Sequence, residues 1–204
     1  PKKLAINYKE FNLSYKPKII ENEGTVTYSW SEKNIEGNKA AEDYLPPPTV
    51  ESITNVVEFS SIKEWGDIAK WFSALAEKNS ILSDPIKDAA LKATKNSANA
   101  KDKVRAILEY MQHNFRYVSM SFGDNSLEPH STVEVFQNKY GDCKDLSLLC
   151  RTMLKAVGIM SYMTLFNTEF SITDPKYDLP LPGLFDHVIL LVEDKKDGDY
   201  YIDP

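Results

Sequence analysis

The chain has 204 residues, 24 of them basic and 30 acidic, for a formal net charge of -6. An acidic balance with no Lys/Arg cluster interleaved with aromatics argues against a nucleic-acid partner, and no apolar run reaches the roughly 18 residues of a membrane-spanning helix. With 42% hydrophobic residues the chain can bury one good core or two modest ones, so one or two globular domains are expected.

Residues 1–57 read as a β-rich segment. Leu4-Ala5-Ile6-Asn7-Tyr8, Phe11-Asn12-Leu13-Ser14-Tyr15 and Thr25-Val26-Thr27-Tyr28-Ser29-Trp30 are short runs rich in β-branched and aromatic residues, parted by turn residues such as Glu23-Gly24. Tyr28 and Trp30 share a face by the two-residue period of a strand and are expected in its core. The sequence opens at Pro1 and closes at Asp203-Pro204, and the expectation is a piece of a longer protein in which this segment is the remnant of a larger N-terminal domain. Leu45-Pro46-Pro47-Pro48-Thr49 reads as a stiff extended spacer, because successive prolines fix φ and offer no N–H to a helix or sheet. A last strand, Ile53 to Phe59, follows it.

Residues 58–204 change texture. Ser61-Ile62-Lys63-Glu64 has the spacing of a capping box, with Trp65, Ile68, Trp71, Phe72 and Leu75 forming an apolar face behind it. Asp84-Pro85 marks a second helix start. Val104, Ile107, Leu108, Met111 and Phe115 mark a third helix from about Asn99 to Asn114. After a brief extended run, Phe115 to Met120, and a loop, Phe122 to His130, a second capping box at Ser131-Thr132-Val133-Glu134 opens a short helix ending at Lys139-Tyr140. Then comes Gly141-Asp142-Cys143-Lys144-Asp145, leading into a helix marked by Leu146, Leu149, Cys150, Met153, Leu154 and Val157 and stopped at Gly158. Beyond it lie a strand from Met160 to Phe166, a polar loop from Asn167 to Gly183, a strand from Phe185 to Glu193 and a last one from Asp199 to Asp203. Helices first and antiparallel strands after make an α+β layout.

Two cysteines, Cys143 and Cys150, share one predicted helix at a rise of about 10.5 Å, beyond disulfide reach, so both thiols are expected to be free. His113, His130 and His187 make no zinc spacing with them, and no glycine-rich phosphate loop is present; no metal and no nucleotide cofactor is expected. Cys143 falls in the first turn of its helix. There the unpaired N–H groups and the helix dipole favour thiolate over thiol and could hold an oxyanion. From the helix alone, Cys143 reads first as a core residue continuing the stripe of Cys150, with a nucleophile as the alternative.

His187 lies in an otherwise apolar strand. If Asp194 to Gly198 form a five-residue loop, Glu193 pairs with Asp199, and Asp203 becomes the diagonal neighbour of His187 on the same face, within side-chain reach. A two-residue Asp197-Gly198 turn would place the two on opposite faces. In the longer-loop register the chemistry assigns Cys143 as nucleophile, His187 as the base that takes its proton, and Asp203 as the group that fixes the imidazole tautomer. The Cys143 N–H would be one oxyanion donor; Tyr117, Gln112 and Tyr140 are candidates for a second.

Tyr140-Gly141-Asp142-Cys143-Lys144-Asp145-Leu146 with its helix ending Ala156-Val157-Gly158-Ile159, then Phe185-Asp186-His187-Val188, then Tyr201-Ile202-Asp203-Pro204, resemble the catalytic core of the transglutaminase-like cysteine enzymes, bacterial branch, over about residues 60 to 204. The resemblance implies a papain-like α+β core and a Cys143, His187, Asp203 triad acting through a thioester, with no cofactor. Residues 1–57 are similar to the end of a β-rich domain of unknown function that often precedes such cores in bacterial envelope proteins, which implies a periplasmic or envelope location. Family members continue past the aspartate into further strands, so residues 58–204 are expected to be a core truncated at its C-terminal end. The implied activity is amide hydrolysis on a peptide or protein substrate; transfer to an amine, and a non-catalytic binding module on the same fold, are the alternatives. The polar loop before His187, Asp174 to Gly183, would be a lid or a surface excursion.

Overall fold

A computed structural model describes residues 5–35, 55–119, 127–168 and 179–204. The chain divides into two compact units, Pro1–Glu64 with Ser171–Leu181 and Trp65–Phe170 with Pro182–Pro204. The proline run at 46–48, the first residues of the strand expected from Ile53, most of the loop from Phe122 and the Asp174 to Asp178 part of the later loop lie outside the described residues.

In the first unit, β1 (Asn7–Phe11) pairs antiparallel with β4 (Val56–Ser60), and β2 (Lys18–Asn22) with β3 (Thr25–Ser29). Glu23 and Gly24 close the second hairpin with φ of +46° and +82°, the left-handed pair that a two-residue turn between twisted strands requires. The expected strand Phe11 to Tyr15 does not form: Asn12 adopts φ +58° and ends β1 one residue into that run. Lys18-Ile19-Ile20-Glu21-Asn22 is a strand the pattern reading missed, because every residue in it is exposed and no face alternates. Tyr8, Tyr28, Trp30 and Phe59 gather into one aromatic cluster, with Tyr28 stacked on Trp30 at 6.2 Å and the Trp30 Nε1–H donating to Glu10 at 2.7 Å. Ser61 to Glu64 are not helical. Instead Ser60 Oγ accepts from the Ile62 N–H at 3.0 Å and donates to the Pro180 carbonyl at 2.6 Å, which draws those residues out of a capping box.

The second unit begins at α1 (Trp65–Asn79), whose Ile68, Phe72 and Ala76 are buried at successive fourth positions while Trp71 turns outward. α2 (Asp84–Ala93) starts one residue earlier than its sequence signal suggested, with Ser83 rather than Asp84 as N-cap and Pro85 in the first turn. α3 (Ala100–Asn114) is capped by Asn99, which accepts from the Asp102 N–H, and buries Val104, Ile107 and Met111. β5 (Arg116–Tyr117) follows, then α4 (Thr132–Asn138), capped by Ser131 and ended by Lys139 at φ +63°.

β6 (Tyr140–Gly141) pairs in parallel with β5 and delivers the chain to α5 (Cys143–Ala156). This helix is buried on nearly every side, Lys144 to Cys150 without a break, because α2, α3, α4, β7 and β8 pack around it. A stripe reading therefore understates it: Leu148, off the predicted stripe, has no exposed surface, and neither do Leu149 and Leu154. Each such leucine contributes about 1.5–3 kcal/mol of burial.

After Gly158, at φ +81°, comes the antiparallel sheet β7 (Ser161–Phe166), β8 (His187–Val192) and β9 (Tyr200–Ile202), in that order, with a single 3-10 turn at Pro182–Leu184 before β8. Val188, Leu190 and Val192 face α5 and are buried, and His187, Ile189 and Leu191 alternate to the other side. Helices packed on an antiparallel sheet are the α+β core that the sequence led one to expect.

Candidate functional site

β8 and β9 pair as Leu190 with Ile202, Leu191 with Tyr201 and Val192 with Tyr200. This is the register of the five-residue loop, and it carries Asp203 to the face of His187. His187 Nε2 and Asp203 Oδ2 lie 2.9 Å apart. An ionised carboxylate only accepts, so the shared hydrogen sits on Nε2, leaving Nδ1 with its lone pair. The histidine side chain is largely covered and the aspartate side chain is largely open.

Cys143 is the first residue of α5 and is half-buried. The main-chain N–H groups of Val188, the neighbour of His187, and of Lys144 favour its thiolate form. Ser147, one turn further along α5, donates to the Val188 carbonyl at 3.0 Å. This bond ties the start of β8 to the first turns of α5.

The thiol is not acidified as its helix position led one to expect. Burial pushes it up, and the Asp142 carboxylate adds to that, against the opposing pull of the Val188 N–H, the Lys144 ammonium and the Lys144 N–H. Desolvation and one adjacent carboxylate outweigh the helix N-terminus. Cys143 therefore keeps its proton until a base takes it. Cys150 has no exposed surface and burial pushes its thiol up to about 12, so it is inert.

The Gly-Asp-Cys-Lys-Asp run holds more than the cysteine. Asp142 is the N-cap: its carboxylate accepts from the Asp145 N–H, and the Asp145 carboxylate accepts in return from the Asp142 N–H, both at 3.3 Å. Lys144 Nζ pairs with Asp142 Oδ2, and both residues are almost wholly buried. Asp145, with no exposed surface, also accepts from the main chain and ring of His130. Gly141 is required by close approach, since a Cβ there would stand 2.6 Å from that of Asp145. None of these roles was read from the sequence. The signal was an Asp-x-x-Asp capping box, where the template looked for is Ser/Thr-x-x-Glu/Gln.

Of the three proposed second oxyanion donors, Tyr117 is the one whose phenol feels the charges of Cys143 and Asp203. β5 pairs it with Gly141, its neighbour Val118 donates to the Gly141 carbonyl at 2.9 Å, and burial with the charges of Cys143, Asp142 and Asp203 pushes its phenol up. It stays a donor at neutral pH. Tyr140 pairs with Arg116 and lines a small cavity with His130 and Glu134, while Gln112 is exposed on α3. On the outer side of the sheet, His187 and Asp203 border an open hollow of about 370 Å³ with Phe166, Ile189 and Tyr201. Among the described residues there is no cluster of His, Cys, Asp and Glu able to hold a metal, and no helix long and apolar enough to cross a membrane.

Residues 87–165 match the family model described as transglutaminase-like superfamily. That stretch contains Cys143; His187 and Asp203 lie beyond it. Among solved structures, the chain resembles a "putative protease" from Parabacteroides distasonis with a TM-score of 0.70 and 18% identity, over 100% of this chain and 38% of that one. The likeness is one of fold, and the chain spans 38% of the length of that protein. None of the curated proteins compared with the chain matches it.

Proposed function

We propose that this chain, which carries a transglutaminase-like superfamily domain, is a cysteine-dependent amide hydrolase acting on peptide or protein substrates. The observation that supports the reading is the 2.9 Å hydrogen bond between His187 and Asp203 at the start of β8, the strand that packs against the helix opened by Cys143.

The steps follow from that arrangement. The thiol, neutral at rest, gives its proton to His187 Nδ1 as Sγ attacks the carbonyl carbon, and Asp203 stabilises the imidazolium through Nε2. The oxyanion is met by the Cys143 N–H at the helix start and by the Tyr117 phenol. The C–N bond then breaks, the amine leaves with the proton held on Nδ1, and a thioester remains on Cys143. Water, deprotonated by the same nitrogen, attacks the thioester, the S–C bond breaks, and the acid and the free thiol are released. Hydrolysis is favoured over transfer to a second amine because Asp203 is exposed and the hollow beside it is open, so water reaches the dyad freely.

The test is a peptide library incubated with the protein and read by mass spectrometry. New termini at internal amide bonds, lost after alkylation of Cys143, are expected. An added primary amine joined to glutamine side chains, with no bond cleaved, would replace hydrolysis by transamidation; no change in any peptide would leave a binding module as the reading.

A further inference from the structure

The turn that carries Cys143 holds a buried carboxylate that the acyl-transfer steps do not use. Asp145 has no exposed surface, and an ionised carboxylate so placed persists only where donors saturate its oxygens. Three donors reach it. The Asp142 N–H lies 3.3 Å from Oδ2; the other two both belong to His130, its main-chain N–H 2.8 Å from Oδ1 and its ring Nδ1 3.0 Å from Oδ2. Because the carboxylate only accepts, the ring carries its hydrogen on Nδ1. His130 comes from the loop before α4, and it lines a cavity of about 110 Å³ with Glu134 and Asn138 of α4, Tyr140 of β6 and Asp145 of α5. Asp142 and Lys144 are the charges beyond Asp145.

We propose that His130 is a positioning residue for Cys143: its Nδ1–H fixes the Asp145 carboxylate, which through the Asp142 N–H fixes the first turn of α5 and so the direction of the thiol. The inference rests on Cys143 being the nucleophile. Transmission is short and has no slack. Asp142 and Asp145 exchange hydrogen bonds across the turn, Cys143 lies between them, and Gly141 has no room for even one more carbon against Asp145. If the carboxylate loses the ring donor, its Oδ2 keeps only the long bond from the Asp142 N–H. The capping box then loosens, and the thiol loses its fixed place at the start of α5. The main-chain bond from His130 to Oδ1 survives any side-chain change, so the variants report on the ring alone.

The test compares two amides. His130→Asn puts an N–H donor near the place of Nδ1; His130→Gln puts its donor near Nε2, away from Asp145. Rates of Cys143 alkylation by iodoacetamide, followed from pH 6 to 9 with thermal melts alongside, separate positioning from simple stability. His130→Asn is expected to react within about threefold of the parent and His130→Gln about tenfold or more slower, since misplacing a reacting group by an ångström costs up to about a hundredfold. Equal rates in the two variants, whether fast or slow, would overturn the proposal. Should the glutamine variant not fold, the asparagine variant decides alone, a parent-like rate supporting the proposal and a tenfold loss overturning it. Failure of the hydrolase reading is a separate result: the parent itself would then alkylate no faster than its His187→Ala variant.

Discussion

Cys143→Ser is expected to lower peptide-bond cleavage by at least about 10⁴-fold, the scale on which removing a triad nucleophile acts, while leaving the unfolding transition in place. The fold is insensitive because the residue is half-buried, nearly isosteric with serine, and surrounded by donors that a hydroxyl oxygen satisfies as well as sulfur does: the N–H groups of Val188 and Lys144. The chemistry is sensitive for a different reason. Burial and the Asp142 carboxylate already disfavour the anion of a thiol at this position, and a hydroxyl is a far weaker acid facing the same penalty. Cleavage assays on the peptide library products and a thermal melt check both halves. Cleavage within tenfold of the parent would remove Cys143 from the role of nucleophile.

Lys144→Met is expected to destabilise the protein by about 3–5 kcal/mol, the cost of leaving one buried charge without its partner. Lys144 and Asp142 are both almost wholly buried and paired to each other, and methionine fills the space of the lysine stem without supplying a cation. Asp142 would keep its bond from the Asp145 N–H but lose its counter-charge. Against a total stability of about 5–15 kcal/mol for a domain, the loss is large enough to read directly in urea unfolding. Adding Asp142→Asn to Lys144→Met is expected to recover part of it, because the stranded charge is then removed. A change in stability below about 1 kcal/mol would be the value of an exposed pair, and would contradict the burial of this one.

Much of the α+β layout was legible before any coordinates, for identifiable reasons. Amphipathic spacing located α1, α3 and α5, Gly158 marked the end of α5, and of the two hairpin registers that the sequence left open the five-residue loop, which brings Asp203 to His187, is the one found. The reading failed where local rules meet tertiary partners. Ser61 and Glu64 have capping-box spacing, yet Ser60 binds Ile62 and Pro180 instead. The Lys18 to Asn22 strand has no buried face and so no period to detect. The candidate site divides in the same way. Cys143, His187 and Asp203 stood out as chemistry-bearing residues, but the state of the thiol did not, because the helix position is local whereas desolvation depends on what packs around it. The roles of His130, Asp142, Lys144 and Asp145 were hidden because charged residues in a sequence read as solvated, and only the packing around α5 shows that Asp142, Lys144 and Asp145 are buried.

The most direct test is the rate at which iodoacetamide modifies Cys143 at pH 7 in the parent and in His187→Ala, located by peptide mapping, with the buried and inert Cys150 as internal reference. Because burial holds Cys143 as a neutral thiol, the account predicts that the parent reacts at least about a hundredfold faster than the variant, the low end of what a positioned base contributes. Equal rates in the two proteins would mean that His187 does not serve Cys143, and would contradict the account at its centre.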